Sequence, residues 1–184
     1  MDERSETEGV ENAMRIKLMK EAYDRGMVIT ACLHLNDPLT GDDAWLDSGK
    51  TSKAAAEILK SGSATQVKFN GWLDKLADVA KNLKGSDGKV IPIIIRPFHE
   101  HTQTWSWWGK STTTEQEFVG LWRYFVDYLK KAGVHNLIYA ISPQMDSKKE
   151  ESDFLFRWPG DEYVDFIGMD CYQGIKNDIF LGNL

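Results

Sequence analysis

A carboxylate at the end of an apolar strand, followed at once by tryptophans, is the feature of this 184-residue sequence with the clearest chemical potential. Ile93-Ile94-Ile95-Arg96-Pro97-Phe98-His99-Glu100 runs directly into His101-Thr102-Gln103-Thr104-Trp105-Ser106-Trp107-Trp108-Gly109. A carboxyl group at the mouth of such a strand, close to indoles, loses hydration, and that favours its neutral, protonated form. A general acid must hold this state near neutral pH. The flat faces of Trp105, Trp107 and Trp108 suit the C–H faces of pyranose rings, and an indole N–H can donate to hydroxyls. Together these residues read as the acid/base half of a sugar-cleaving site, with Glu100 presented to a tryptophan-lined cleft. The competing reading buries Glu100 against Arg96 and places the tryptophans in the core.

The histidines invite a metal reading, which the spacing does not support. His99-Glu100-His101 is not H-E-x-x-H, and on an extended strand His99 and His101 would share a face with Glu100 opposite. A third ligand would have to come from His34 or Asp170, so no metal site is expected. Asp170 and Tyr172 share a face by the two-residue strand period, where a tyrosine can hold a carboxylate ionised and aimed. Asp165 starts the same strand at its far end and is read as structural. The charge run Asp146, Lys148, Lys149, Glu150, Glu151 is read as a solvated face. Cys32 and Cys171 fit neither a disulfide framework nor a metal spacing and are expected to be free and buried.

Alternating strand-like and helix-like segments must position these groups, as in parallel βα units. Apolar spacing predicts a helix over 11–25, with Ala13, Ile16, Met19, Ala22 and Tyr23 on one face, and a strand over 27–33. A short helix is expected over 51–60 and a longer one from Phe69 to Leu83. Val90 to Ile95 reads as a strand buried on both faces. Thr114-Glu115-Gln116-Glu117 has the capping-box form and opens a helix with Phe118, Leu121, Trp122, Phe125 and Leu129 inward. Strands over 137–141 and 164–169, with a helical turn at 161–163, complete the pattern. The polar candidates fall just after the strands: His34, then His99 with Glu100, Ser142 with Gln144, and Asp170 with Tyr172. An α/β barrel builds its site from those strand ends. A doubly wound sheet usually adds a glycine-rich phosphate loop, and none occurs here.

Composition excludes several function classes. A net charge of −6 argues against nucleic acid. No run approaches the roughly 18 apolar residues that cross a membrane. The N-terminal Met1-Asp2-Glu3-Arg4 onward lacks the basic and apolar regions of a signal peptide. Residues 1–12 read as a polar lead-in, expected to be disordered.

Three segments resemble glycoside hydrolase family 26, whose commonest members are endo-β-1,4-mannanases. Arg96 to Gly109 is similar to its acid/base signature, His34-Leu35-Asn36-Asp37-Pro38 to its W-H-x-x-N-P strand end, and Pro159 to Tyr172 to its P-G-D-x-Y-V-D-x-x-G-x-D-x-Y segment. The resemblance implies an α/β fold that is part of a (β/α)8 TIM barrel, with about four of the eight βα units, the third to sixth strands, in residues 13–184. It implies a retaining glycoside hydrolase acting on mannan, glucomannan or galactomannan, needing neither metal nor organic cofactor. Glu100 matches the acid/base, while His34, His99, Trp105, Trp108, Asp170 and Tyr172 match the substrate-binding and supporting positions. Leu33 departs from the family, which has tryptophan there. The nucleophile, a glutamate after the seventh strand, is expected to be absent from this chain, leaving an incomplete domain inactive alone. The chain would then hold mannan without cutting it, or self-associate through unpaired barrel edges. A β-1,3-xylanase or mixed-linkage glucanase specificity is compatible with the same residues. Family members act in secreted, periplasmic or cell-surface settings.

Overall fold

Four parallel strands in unbroken sequence order form the sheet that positions the candidate residues. The computed structural model describes residues 6–7, 9–47, 49–145 and 151–172. A two-residue antiparallel ladder, β1 (Glu6–Thr7) with β2 (Val10–Glu11), precedes helix α1 (Asn12–Asp24). The polar lead-in expected to be disordered therefore carries a short ladder. The main elements follow as β3 (Ile29–Cys32), α2 (Ala54–Leu59), α3 (Ala64–Asn82), β4 (Ile93–Arg96), α4 (Glu115–Lys131) and β5 (Leu137–Ile141). A short helix α5 (Glu151–Phe154), a 3-10 turn at Asp161–Tyr163 and β6 (Phe166–Ile167) complete the order.

The sheet runs β3-β4-β5-β6, each strand parallel to its predecessor. A doubly wound sheet reverses its order at a switch point, whereas a barrel lays each strand beside the last. The order seen here is that of consecutive barrel units. Register brings Ile29, Ile93 and Leu137 into one row, and Ala31, Ile95 and Tyr139 into the next. These residues, together with the inner faces of α3 and α4, make one hydrophobic cluster. α4 follows its sequence pattern closely: Thr114 accepts from the Glu117 amide, and the Glu117 carboxylate accepts from the Thr114 amide. Phe118, Leu121, Trp122, Phe125, Val126 and Leu129 are its buried stripe.

Several expectations are corrected. The fourth strand is shorter than 90–95 predicts at its start, since Val90 is exposed and pairs with Lys84 in an isolated bridge. Ile94 is only half-buried, so this strand is not closed on both faces. The last strand keeps two of its six expected residues. Ala13 is exposed, and α1 buries no residue completely. Asp146 to Glu150 of the charge run lie outside the described residues; Glu151 is exposed and opens α5, an element the sequence did not signal. Asp165 is structural as expected, its carboxylate accepting from the Tyr139 amide at 2.9 Å.

Trp122 sits at the centre of the core and donates its indole N–H to the Tyr163 carbonyl at 3.0 Å, tying α4 to the 3-10 turn. Trp122→Ala should therefore cost about 3–5 kcal/mol in urea unfolding. The same change at exposed Trp45 should stay within about 0.5 kcal/mol.

Candidate active site

Parallel register sets the floor of the site, because Cys32 at the end of β3 stands beside Arg96 at the end of β4 on the same face. Arg96 donates through Nη1 to the Cys32 Sγ at 3.1 Å and through Nε to the Ser142 Oγ. Its Nη2 makes an ion pair with Asp170, both side chains about one-fifth exposed. One guanidinium thus joins residues at or just past the C-terminal ends of all four strands. The competing reading, in which Glu100 is buried against Arg96, does not hold: the Arg96 guanidinium bonds Cys32, Ser142 and Asp170.

Glu100 lies above this floor, buried, in a turn rather than on the strand. Its backbone takes φ 52°, and Phe98 takes φ 48°, in the left-handed region that non-glycine residues rarely occupy. The turn is held from outside: the Glu100 amide donates to the Ser142 carbonyl at 2.8 Å, and the Thr102 hydroxyl donates to the Gln144 carbonyl at 3.0 Å. Both Glu100 carboxylate oxygens accept hydrogen bonds, Oε2 from the Trp105 indole at 2.8 Å and Oε1 from the Tyr172 hydroxyl at 2.7 Å. The group is therefore buried but doubly hydrogen-bonded, not the bare acid among indoles that the sequence suggests. The bond to Glu100 is the main reason the Tyr172 hydroxyl is pushed up to about 12. Tyr172 thus serves Glu100, while Asp170 serves Arg96.

The turn also separates the two histidines that an extended strand would have placed together. His99 points into the site, its ring centroid 4.5 Å from that of His34 and 5.5 Å from that of Trp105. His101 points away and stacks on Phe118 at 4.4 Å in the core. A different cluster of ligand types results: Cys32 Sγ and one ring nitrogen each from His34 and His99 lie within 4.8 Å of one another. Burial pushes the Cys32 thiol up, partly opposed by Arg96.

The tryptophans divide by burial. Trp105 is half-buried in the site, but Trp107 and Trp108 are 0 % exposed and cannot stack on a ligand. This corrects Trp108 as a substrate contact: its indole donates to the His99 carbonyl at 2.8 Å and its ring backs Trp105 edge-on. Trp107 donates to the Leu35 carbonyl at 3.0 Å, fastening the loop after β3 to the loop after β4. The same junction brings in a residue that sequence reasoning missed. Trp45 is 60 % exposed, its ring centroid 4.3 Å from that of Trp105. Its signal was a lone large aromatic in a turn-rich polar connection, just after Gly41-Asp42-Asp43. Gly109 closes the loop where a Cβ would meet the Gln103 carbonyl at 2.5 Å. Buried Arg157, also missed, donates to the Thr113 hydroxyl at 2.7 Å and holds the loop's far end.

With this geometry in view, the chain can be set beside known proteins. The family model for glycosyl hydrolase family 26 matches residues 2–181. A mannan endo-1,4-beta-mannosidase of Bifidobacterium adolescentis is 40% identical over 154 residues, covering 83% of this chain and 15% of that protein. A mannan endo-1,4-beta-mannosidase of Bacillus subtilis is 25% identical over 178 residues, covering 91% and 47%. The solved structure of a GH26 beta-mannanase from Bacteroides ovatus superposes with a TM-score of 0.82 at 37% identity, covering 89% of this chain and 46% of that one. The chain thus spans less than half the length of these relatives. The agreement covers both the signature segments and the parallel sheet that carries them.

Burial holds both His99 and His101 down to about 3, against an ordinary value of 6.5. Arg96 adds to the effect at His99 and Arg157 at His101. The folded chain therefore binds fewer protons than the unfolded chain between about pH 6.5 and pH 3, so stability rises with pH across that window. The contribution is complete above about pH 6.5 and is lost as pH falls. Urea midpoints should drop steadily from pH 7 to pH 4, and His101→Leu should flatten that slope; an unchanged slope would mean His101 is not held neutral.

Proposed function

Because the chain belongs to glycosyl hydrolase family 26, we propose that Glu100 is the general acid/base of a retaining hydrolysis of β-1,4-mannosidic bonds in mannan, glucomannan or galactomannan. One observation carries this reading: a buried carboxyl held by two neutral donors, Trp105 and Tyr172, beside an exposed aromatic wall. In the first step Glu100 protonates the leaving glycosidic oxygen as a carboxylate nucleophile attacks the anomeric carbon. In the second it takes a proton from the water that releases the sugar. Trp105 and Trp45 offer ring faces to pyranose C–H groups, and His34 and His99 contact hydroxyls on the cleavage side. Trp108 supports Trp105 and the His99 backbone from behind. The four parallel strands correspond in this reading to the third to sixth strands of a (β/α)8 barrel.

Retention needs a second carboxylate about 5 to 5.5 Å from the first. Among the described residues, Asp170 is the carboxylate that shares the mouth with Glu100, and its ion pair with Arg96 commits it to the floor. We therefore place the nucleophile outside the described residues. This favours sugar binding without cleavage as the behaviour of the 184 residues alone. Affinity electrophoresis through β-mannan should show retardation, lost in Trp105→Ala, while reducing ends should not accumulate. Release of reducing ends by the 184 residues would mean that the nucleophile lies within them.

In a mannan-hydrolysing polypeptide that contains these residues, Glu100→Gln should lower turnover by about 10² to 10⁴ with affinity kept. Substrates with activated leaving groups should suffer less in the first step, since they need little protonation. Parental rates on mannan in the variant would remove Glu100 from the role.

A further inference from the structure

We propose that Cys32, His34 and His99 form a binding site for one soft divalent cation, of which Zn²⁺ is the natural representative. Thiolate and imidazole together are the ligand set that borderline-soft metals prefer over oxygen-binding Mg²⁺ or Ca²⁺. Zinc takes sulfur at about 2.3 Å and nitrogen at about 2.0–2.1 Å, so tetrahedral ligand atoms stand about 3.4 to 3.7 Å apart. The Cys32 Sγ and His99 Nδ1 are already 3.4 Å apart, and all three ligand atoms lie within 4.8 Å of one another. Small side-chain rotations close the triangle and leave the fourth position to water.

The surroundings suit a cation. Arg96 is the nearest positive charge, and Asp170 neutralises it. Asp170 and Glu100 both oppose the pull of Arg96 on the Cys32 thiol. Arg96 donates to the Cys32 Sγ and so acts as an outer partner to the sulfur ligand, a common arrangement around metal-bound thiolates. His99 is held neutral by burial, which keeps a ring lone pair available. Binding replaces the S–H bond with an S–Zn bond and releases one proton to solvent, so affinity rises with pH.

The site overlaps the floor where His34 and His99 are proposed to meet sugar. If that proposed reading holds, cation and sugar exclude one another; the metal site itself rests on ligand chemistry alone. The experiment uses Co²⁺ with the 184-residue chain at neutral pH and no sugar present, so the two ideas fail separately. One equivalent of Co²⁺ should give a sulfur-to-cobalt charge-transfer band with intense tetrahedral d–d bands, both removed by one equivalent of Zn²⁺. Cys171→Ser should leave the spectrum unchanged. Cys32→Ser should abolish the charge-transfer band, with far-ultraviolet circular dichroism confirming its fold. His34→Gln, at an exposed position, should weaken Co²⁺ binding and gives a second variant should Cys32→Ser fail to fold. No charge-transfer band in the parent chain, its survival in Cys32→Ser, its loss in Cys171→Ser, or Co²⁺ binding unaffected by His34→Gln would overturn the proposal.

Discussion

The half-buried guanidinium of Arg96 is the constraint on which the site depends. It is bonded to Cys32 at the end of β3, Ser142 after β5 and Asp170 after β6, so the mouths of four strands converge on one planar group. A charge in that position is tolerated because Asp170 pairs with it and two further acceptors, Cys32 and Ser142, take hydrogen bonds from it. Removing Asp170 would leave an uncompensated cation beneath Glu100. Removing Arg96 would free three polar groups at once. The pair is thus less a source of net stability than a fixture that makes the strand ends agree on one geometry.

Above that fixture the loop after β4 must do something strands do not do: turn two side chains in opposite directions within a few residues. Positive φ at Phe98 and Glu100 accomplishes this. Phe98 drops into the core among Trp107, Trp108, Trp122 and Phe125, while Glu100 rises into the site. Such backbone conformations persist only where the surroundings over-determine them. Here the buried indoles of Trp107 and Trp108 bond carbonyls of Leu35 and His99, and Thr112 and Thr113 hydroxyls cap carbonyls of Trp107 and Gly109. The tryptophan-rich run is therefore mainly scaffold, with Trp105 the ring that reaches Glu100.

This explains which parts of the molecule were legible in the sequence. Helices α3 and α4 and strand β5 were readable because apolar period and capping chemistry are local, and the long signature exposed Glu100, His99 and Trp105 as a unit. Trp108 was misplaced because three tryptophans in four residues can be sorted into core and cleft only by the turn geometry. His101 was grouped with His99 for the same reason. Trp45 and Arg157 were missed because their roles arise from contacts across about 60 and 44 positions of chain respectively, with Trp105 and Thr113. The partnerships of Arg96 with Asp170 and of Tyr172 with Glu100 are equally long-range, at separations of 74 and 72. The sequence placed those residues at strand ends but could not say which would pair.

That choice of pairing bears on the chemistry. Among the described residues, Glu100 and Asp170 share the mouth, and their partners differ in kind. Asp170 is held by a guanidinium, so adding a proton to it would break an ion pair and strand Arg96. Glu100 is held by an indole and a phenol, both neutral donors, so no ion pair fixes it. An acid/base residue must do both in every cycle, whereas a floor residue should do neither. Had the partners been exchanged, with Arg96 reaching Glu100, the group aimed at the cleft would be the one locked in an ion pair. The tilt of one arginine toward β6 rather than toward the loop after its own strand thus leaves the carboxylate aimed at the cleft free of an ion pair, as the proposed acid/base role requires.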